Sequence, residues 1–204
     1  MANASSFDAR AATWDEDPGK RKRAAAVADA IRRQVELSAN MSAMEYGAGT
    51  GLLSFELADE LGSILLTDSS SGMLDVARSK VAASGSSRMA VRPLDLTRDP
   101  LPAERFDIVY SMMTLHHVPD TGDLLGKLYT LLNDGGYLCV ADLDAEDGSF
   151  HGPEVDVHHG FDRGALGAAL SDAGFNHVRF DTCMQIARGA RSYGVFLAVG
   201  QRPG

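Results

Sequence analysis

The segment Glu45-Tyr46-Gly47-Ala48-Gly49-Thr50-Gly51 decides the fold that this sequence predicts. It follows the short apolar run 41–46 and precedes residues 52–61, in which leucine and phenylalanine recur. This order predicts a strand, a tight turn on three alternate glycines, and a helix. Because glycine lacks a Cβ, a ligand can approach the backbone of such a turn closely. The following helix adds unpaired N–H groups at its N-terminus, so the segment predicts a site for a nucleotide-like molecule.

Strands and helices alternate along the chain on both sides of this turn. Strands are predicted over residues 41–46, 63–67, 89–91, 106–110 and 137–141. Helical segments separate them, a pattern typical of an α/β fold whose parallel sheet carries helices on both faces. Nearer the C-terminus, a helix over 161–173 precedes strands over 175–183 and 192–199. These two strands predict an antiparallel hairpin at one edge of the sheet.

The chain of 204 residues, 45% of them hydrophobic, is long enough for one domain with a full core. Phe7, Ala11 and Trp14 recur at helical spacing, so we predict a helical cap segment over residues 1–18 and the main domain over 19–204. The first eight residues lack the basic region and apolar core of a secretory signal. No apolar run approaches the ~20 residues of a transmembrane helix. We therefore predict a cytoplasmic protein without a membrane partner.

Charge and cysteine content exclude two further classes of partner. The net charge of −9 argues against a protein that binds a nucleic-acid backbone, and favours a small-molecule or protein partner. The two cysteines, Cys139 and Cys183, lie far apart and form no CxxC motif. We therefore predict neither a zinc site nor a redox pair from them.

The spacing of the glycines distinguishes between cofactors. A nicotinamide cofactor needs the pattern G-x-G-x-x-G, or the same with alanine last. Counting from Gly49 places Ser54 at the last position, and counting from Gly47 places Leu52 there. Neither register fits, whereas an acidic residue followed by three alternate glycines does fit the segment that starts at Glu45.

Four features together make the chain resemble the class I S-adenosylmethionine-dependent methyltransferases of the small-molecule type, over most of its length. They are the segment 45–51, Asp68 at the end of the second predicted strand, the pair Asp95-Leu96, and Leu-His-His-Val-Pro-Asp over 115–120. The resemblance implies a Rossmann-like, seven-stranded, mostly parallel sheet with an antiparallel C-terminal hairpin. It also implies S-adenosylmethionine as the methyl donor and S-adenosylhomocysteine as the product.

The resemblance also implies which residues bind the cofactor. Asp68 would accept hydrogen bonds from both ribose hydroxyls, a geometry that suits a carboxylate. Glu45 would orient the glycine loop or the cofactor's amino group, and Ser69 with Met73 would contact the adenine. Asp95 and its neighbour would pair with the edge of that ring. The full predicted set is Glu45, Gly47, Ala48, Gly49, Asp68, Ser69, Met73, Asp95, Leu96 and Ser111.

The candidate for catalysis is His116, because histidine titrates near neutrality and could take a proton from the acceptor. Its neighbour His117 should point elsewhere, since adjacent residues on a helix face different directions. A purely structural role stays open for either ring. The spacing of His116 and the three histidines at 151, 158 and 159 resembles no known ligand set, so we predict no metal site.

Several features bear on the acceptor. In this family the long connection over 142–160 and the N-terminal helix often flank it, so Trp14 either covers the cofactor or anchors the first helix in the core. Ser111-Met112-Met113-Thr114 stands where enzymes that methylate amino groups of nucleic acids carry Asn/Asp-Pro-Pro-aromatic. We therefore predict a small-molecule acceptor, and a chain that is a monomer or a homodimer.

Three alternatives remain at this stage. The chain could bind S-adenosylmethionine without turnover, it could be a nicotinamide-dependent oxidoreductase, or its acceptor could be a protein. Catalysis by proximity needs few diagnostic residues, so the sequence does not separate the first alternative from an active enzyme.

Overall fold

The computed structural model describes residues 4–152 and 155–204. Residues 1–3 of the predicted cap segment, and two residues of the long connection, lie outside this part. The described chain forms one seven-stranded sheet in the order β3-β2-β1-β4-β5-β7-β6. The strands are β1 Ser42–Tyr46, β2 Ser63–Asp68, β3 Met89–Pro93, β4 Phe106–Met112, β5 Leu132–Leu143, β6 Asn176–Arg188 and β7 Arg191–Gln201.

The pairing of the strands confirms the predicted fold class. β1 to β5 pair in parallel, whereas β7 runs antiparallel to both β5 and β6. The C-terminal hairpin therefore closes one edge of the sheet, as the sequence predicts. After β1 the chain builds outward through β2 and β3, then returns to place β4 on the other side of β1. Ligands of open α/β sheets bind at such a switch point, beyond the carboxyl ends of the strands.

The helices cover both faces of the sheet. They are α1 Ala4–Asp8, α2 Pro18–Gln34, α3 Leu52–Leu57, α4 Ser71–Ser84, α5 Thr121–Thr130 and α6 Arg163–Asp172, with 3₁₀ helices at Ala11–Glu16 and Leu115–His117. Helices α2 and α3 pack on one face and α5 and α6 on the other. Along β1 the buried side chains alternate accordingly, with Ala43 in the first core and Met44 in the second. None of the helices in the described part of the chain has both the length and the apolar character needed to cross a membrane.

Local sequence explains where most helices begin and end. Asp17 accepts a hydrogen bond from the backbone N–H of Gly19, and Pro18 occupies the first position of α2. At α4, Ser70 is the N-cap and Gly85 ends the helix with a φ of +65°. Both helices therefore begin at a local capping signal, and α4 also ends at one.

Two segments differ from the sequence-based prediction. The predicted first helix is split, because α1 ends at Asp8 in a turn before the 3₁₀ helix begins at Ala11. Strand β5 begins at Leu132 rather than at Tyr137. The intervening residues 133–136, which contain Gly135 at a φ of +79°, form an irregularity where the β4–β5 register shifts.

Candidate active site

A cavity of about 600 Å³ lies beyond the carboxyl ends of the first strands of the sheet. The turn after β1, the residues after β2 and β4, and part of the N-terminal segment line it. Its position is the switch point of the sheet between β1 and β4, where this class of fold binds ligands. The glycine turn that opened the sequence argument is one wall of this cavity.

The glycines of the turn serve different purposes. Gly47 has a φ of +72°, and a Cβ there would clash with the side chain of Thr114. Gly51 has a φ of +84°, and a Cβ there would meet Leu66 Cδ2 at 2.5 Å. Gly49 has a φ of +55°, but the nearest atom to its Cβ position is Met73 Sδ at 3.9 Å. Gly47 and Gly51 therefore allow the turn to pack, whereas Gly49 presents bare backbone to the cavity.

Glu45 fastens the glycine turn to helix α3. Its carboxyl group is only 1% exposed and accepts hydrogen bonds from Ser54 N at 3.1 Å and Ser54 Oγ at 2.5 Å. The Ser54 hydroxyl also pairs with Tyr110 Oη at 2.8 Å. Burial raises the pKa of Glu45 to about 8, because the lost hydration outweighs the two bonds from Ser54.

Asp68 joins the glycine turn to the start of helix α4. Its Oδ2 accepts a hydrogen bond from Gly49 N at 2.7 Å, and its Oδ1 accepts one from Ser70 N at 2.8 Å. Burial raises the pKa of this carboxyl group, and backbone N–H groups of Ser70, Gly49 and Ser69 partly oppose that shift. A carboxylate can accept about four hydrogen bonds, so Asp68 keeps acceptor capacity for a ligand hydroxyl.

Seven of the ten predicted cofactor-binding residues line the cavity together. They are Glu45, Gly47, Ala48, Gly49, Asp68, Ser69 and Met73. They come from two segments of the chain, 45–49 and 68–73, which the parallel pairing of β1 and β2 brings to one edge of the sheet.

The other three predicted residues do not line the cavity. Asp95 Oδ1 accepts hydrogen bonds from Thr97 N at 3.0 Å and Thr97 Oγ1 at 2.5 Å, within its own turn. Leu96 is fully buried, and Ser111 Oγ donates to the main chain at the end of β1 at 2.8 Å. Leu94, which the sequence argument did not single out, lines the cavity in this region instead.

Comparison with known proteins agrees with this geometry. A family model described as "Methyltransferase domain" matches residues 43–136, the segment that holds the glycine turn, Asp68 and the two adjacent histidines. The matched segment is that of a methyltransferase domain, and the fold is that of the class I S-adenosylmethionine-dependent methyltransferases. The cofactor of this family is S-adenosylmethionine. An uncharacterized methyltransferase from Anoxybacillus flavithermus is 32% identical over 110 residues, which cover 53% of this chain and 49% of that protein.

Two solved structures share the whole fold. One is in the complex between the Haloferax volcanii Trm112 methyltransferase activator and a methyltransferase, with a TM-score of 0.80, 21% identity and coverage of 100% of this chain and 99% of that one. The other is the N-methyltransferase NodS from Bradyrhizobium japonicum with S-adenosyl-L-homocysteine, with a TM-score of 0.77, 17% identity and full coverage of both chains. The chain spans between 3% and 49% of the length of the first curated relatives that it matches.

The methyltransferase cavity contains a buried histidine–carboxylate pair. His116 Nδ1 lies 2.6 Å from Asp142 Oδ1, and the backbone N of His116 donates to Asp142 Oδ2 at 3.2 Å. The two side chains are 1% and 0% exposed. Asp142 was not predicted as a site residue, although a carboxylate inside the apolar strand β5 was a usable signal.

Two more histidines complete the cluster around this pair. His151 Nε2 lies 3.0 Å from His116 Nε2, and the His117 ring centroid lies 4.1 Å from that of His116. Both His116 and His117 line the cavity, which differs from the expectation that only one would. Burial, followed by repulsion from His116, lowers the pKa of His117 to about 3 and that of His151 to about 4. Both of these rings are therefore neutral at pH 7.

The connection after β5 is held against the 3₁₀ helix Leu115–His117. His158 N donates to His116 O at 2.9 Å, and His158 Nε2 lies 3.0 Å from Val118 O. These contacts bring His151 of the same connection into the cavity. The family resemblance predicted that this connection flanks the acceptor, but it did not single out His151 from the other histidines of the connection.

The N-terminal segment covers the cavity from the other side. The ring of Phe7 packs edge-on against Trp14 at 5.9 Å and against His117 at 5.4 Å. Trp14 lines the cavity, and Lys20 Nζ lies 4.1 Å from the centre of its ring. Arg23 of α2 also lines the cavity, and its buried Nε has no hydrogen-bond partner in the described residues.

Proposed function

We propose that this chain transfers the methyl group of S-adenosylmethionine to a small organic acceptor in the cavity at the carboxyl edge of the sheet. One observation carries the proposal, namely the joint placement of Gly49, Asp68 and Met73. A bare backbone position, a carboxylate with remaining acceptor capacity and an apolar side chain meet at one edge of the cavity. This combination suits a ligand that joins a sugar diol to an aromatic base.

The remaining residues fit the other end of the cofactor. Asp68 would accept from the ribose hydroxyls, while Ser69 and Met73 would contact the adenine. The unpartnered Nε of Arg23 is a donor that a carboxylate would satisfy, which suits the carboxylate of the cofactor's methionine part. Glu45 would face the amino group, and an ammonium ion there would offset the burial that raises its pKa.

When bound, the cofactor supplies an electrophilic methyl group on a sulfonium ion. The chain's own contribution is to hold the acceptor in line with the methyl–sulfur bond and to exclude water. In favourable cases such positioning lowers the activation barrier by up to about 7–11 kcal/mol. Trp14 and Phe7 would exclude water, and we propose residues 1–18 as a cap on a methyltransferase domain over 19–204.

His116 is the proposed general base. A proton on its Nδ1 would be donated to Asp142, which leaves the lone pair of Nε2 on the cavity side of the ring. A buried carboxylate in this position orients the ring and stabilises it once it has accepted a proton. This group would take the acceptor's proton during methyl transfer.

A small-molecule acceptor is supported by the position of the cavity beneath Phe7 and Trp14, and the net charge of −9 argues against a nucleic-acid acceptor. The Bradyrhizobium neighbour is itself named as an N-methyltransferase. A protein acceptor would need an open docking surface beside the cavity. A cytoplasmic location, and a monomer or homodimer, stay predictions from the sequence.

The cofactor assignment is tested by Asp68→Ala. We expect this variant to bind S-adenosylmethionine more weakly by roughly 1–3 kcal/mol in titration calorimetry, because charge-assisted hydrogen bonds are lost. Asp75→Ala is the matched control, since Asp75 is an exposed aspartate on α4. Equal affinities of the Asp68 variant and the unaltered protein for S-adenosylmethionine would contradict the cofactor assignment.

Turnover needs a separate experiment. The chain is incubated with S-adenosylmethionine and a panel of small amines, alcohols, thiols and carboxylates, and S-adenosylhomocysteine is measured. Product with any acceptor excludes a binding protein without turnover. A parallel titration with nicotinamide cofactors tests the oxidoreductase alternative, for which we expect no binding because the glycine register does not fit.

A further inference from the structure

Three histidine rings meet at one point of the cavity. His116 and His117 come from the 3₁₀ helix, and His151 comes from the connection after β5. Each ring offers a nitrogen, and the three nitrogens all lie within 4.8 Å of one another. Two of them, the Nε2 atoms of His116 and His151, are only 3.0 Å apart.

Hydrogen bonds fix the roles of two of these rings. With a proton at Nδ1 donated to Asp142 Oδ1 at 2.6 Å, His116 Nε2 accepts a hydrogen bond from His151 Nε2, and a metal ion would take the place of that shared proton. His117 Nδ1 is buried and has no hydrogen-bond partner in the described residues. An unpaired buried nitrogen is costly, and an occupant of the cluster would satisfy it.

We infer that His116, His117 and His151 form a binding site for a divalent transition-metal ion such as Zn²⁺. Three imidazoles with an open fourth position are a ligand set of zinc sites that act on substrates, and imidazole also suits copper, iron and nickel. In metal sites a carboxylate often accepts a hydrogen bond from the ring nitrogen that does not bind the metal, and Asp142 lies in that position beside His116 Nδ1. All three rings line the cavity, so the open position faces the space proposed for the acceptor.

The charges around the cluster are of both signs. Arg188 disfavours positive charge at the His151 ring, whereas the carboxylates of Asp142 and Glu146 favour it. The Arg188 guanidinium lies against the ring of Phe150 and donates to its main-chain carbonyl. The sequence spacing gave no sign of this site, because residues 116 and 151 are joined only by the fold.

The metal site and the proposed base share one atom, Nε2 of His116. An ion at this position would stop His116 from accepting a proton and would instead bind an oxygen or nitrogen atom of the acceptor. Only this consequence rests on the proposed function, since metal binding itself needs no methyl transfer. The metal-free and the metal-loaded protein are therefore two separate states to be measured.

The test is a metal titration of the full chain, freed of any affinity tag and treated with a chelator. We expect one Co²⁺ to bind per chain, with the visible absorption of a four-coordinate site, and Zn²⁺ to displace it. His151→Ala should lower the affinity by about tenfold or more, and Asp142→Asn by about 10–100-fold. His159→Ala is the control, because His159 is an exposed histidine of the same connection.

Two results would overturn the site. One is Co²⁺ binding of the unaltered protein with no four-coordinate spectrum, and the other is equal affinity of His151→Ala and His159→Ala. Circular dichroism of each variant shows whether it has folded, and His151→Ala is the safer variant because its ring is only half-buried. S-Adenosylmethionine titrations of the metal-free protein separate the two proposals, since they test the cofactor site whether or not an ion binds.

Discussion

Gly47 and Gly49 stand two positions apart in one turn, yet a methyl group added to each would meet different surroundings. At Gly47 it would collide with Thr114, and at Gly49 it would enter the cavity. The family resemblance assigns both residues to the methionine part of the cofactor. The structure gives Gly47 a packing reason that is independent of any ligand, whereas Gly49 has no such reason.

Gly47→Ala is therefore expected to destabilise the fold itself. A non-glycine residue in the left-handed region costs about 1–2 kcal/mol, and overpacking against Thr114 adds about 1–3 kcal/mol. Gly85→Ala is the matched control, because its φ of +65° is similar but its Cβ would meet nothing within 4 Å. Denaturant unfolding of both variants measures the difference.

Removing the collision should restore part of the loss. Thr114→Ala deletes the two atoms that the new methyl group would meet first. The double variant should therefore lose less unfolding free energy than the sum of the losses in the two single variants. Equal stability of Gly47→Ala and Gly85→Ala would contradict the packing argument.

Glu45 supplies a prediction about pH. Its pKa is about 8 in the folded protein, against an ordinary value of 4.5. Between these values the folded state keeps a proton that the unfolded state releases, so this group makes the protein less stable as the pH rises from 4.5 to 8. Glu45→Gln cannot titrate and can still accept the bond from Ser54. The unfolding free energy of this variant, relative to that of the unaltered protein, should increase by on the order of 3 kcal/mol between pH 5 and pH 8.

The measurement is denaturant unfolding of both proteins at pH 5 and pH 8. Glu56→Gln, an exposed substitution on helix α3, serves as the control and should show no such gain. A constant difference between Glu45→Gln and the unaltered protein at the two pH values would show that Glu45 is ionised throughout.

At the scale of elements, helix α4 depends on one side chain for two contacts. Ser70 Oγ accepts from Met73 N at 3.2 Å as the N-cap, and donates to Asp8 Oδ1 at 2.6 Å. We expect Ser70→Ala to cost about 1 kcal/mol of unfolding free energy through the lost cap. Asp162→Ala removes the corresponding cap of α6 and should cost a similar amount.

The two cap variants should differ in one respect. Only Ser70→Ala should increase hydrogen exchange in the N-terminal segment, since Asp162 has no contact with that segment in the described structure. If both variants leave exchange there unchanged, the Asp8–Ser70 bond does not hold the segment.

Elements with strong local signals were predictable from the sequence. Asp17-Pro18 and Ser70 give the starts of α2 and α4 correctly, because capping is a local interaction. The early start of β5 was not predictable. It depends on pairing with β4, and the glycine-rich residues 133–136 have the composition of a turn.

The candidate site also contains residues with local sequence signals and residues that only the tertiary structure brings together. The turn over 45–51, Asp68 and Met73 are close in sequence to the strand ends that position them, so a motif was sufficient to predict them. The His116–Asp142 pair and His151 are brought together only by tertiary structure, over separations of 26 and 35 residues. Both adjacent histidines line the cavity, and the segment that carries them is a single 3₁₀ turn.

At the scale of the whole molecule, three distant parts of the chain surround the cavity. The carboxyl edge of the sheet forms its base, the connection after β5 brings in His151, and the N-terminal segment covers it with Phe7 and Trp14. The base is built from buried strands, and the connection after β5 is held by both main-chain and side-chain hydrogen bonds, whereas the N-terminal segment is held mainly by side-chain hydrogen bonds. The cover is therefore the part of the molecule whose local stability should respond most to a ligand.

Two aspartates hold the N-terminal cover in place. Asp8 accepts bonds from Ser70 Oγ at 2.6 Å and Gly72 N at 2.8 Å. Asp15 accepts bonds from Thr50 Oγ1 at 2.5 Å and Lys80 Nζ at 2.6 Å. The double variant Asp8→Ala/Asp15→Ala should open this segment more often, and its amide hydrogen exchange should rise several-fold while that of the central strands stays unchanged.

The same double variant tests whether the cover belongs to the ligand site. If it does, S-adenosylmethionine should slow exchange across residues 6–16 in the unaltered protein, and the double variant should bind the cofactor more weakly. Asp29→Ala, which breaks an exposed ion pair on α2, should change neither quantity. Unchanged cofactor affinity in the double variant, together with faster exchange, would mean that the segment lies over the cavity without contributing to binding.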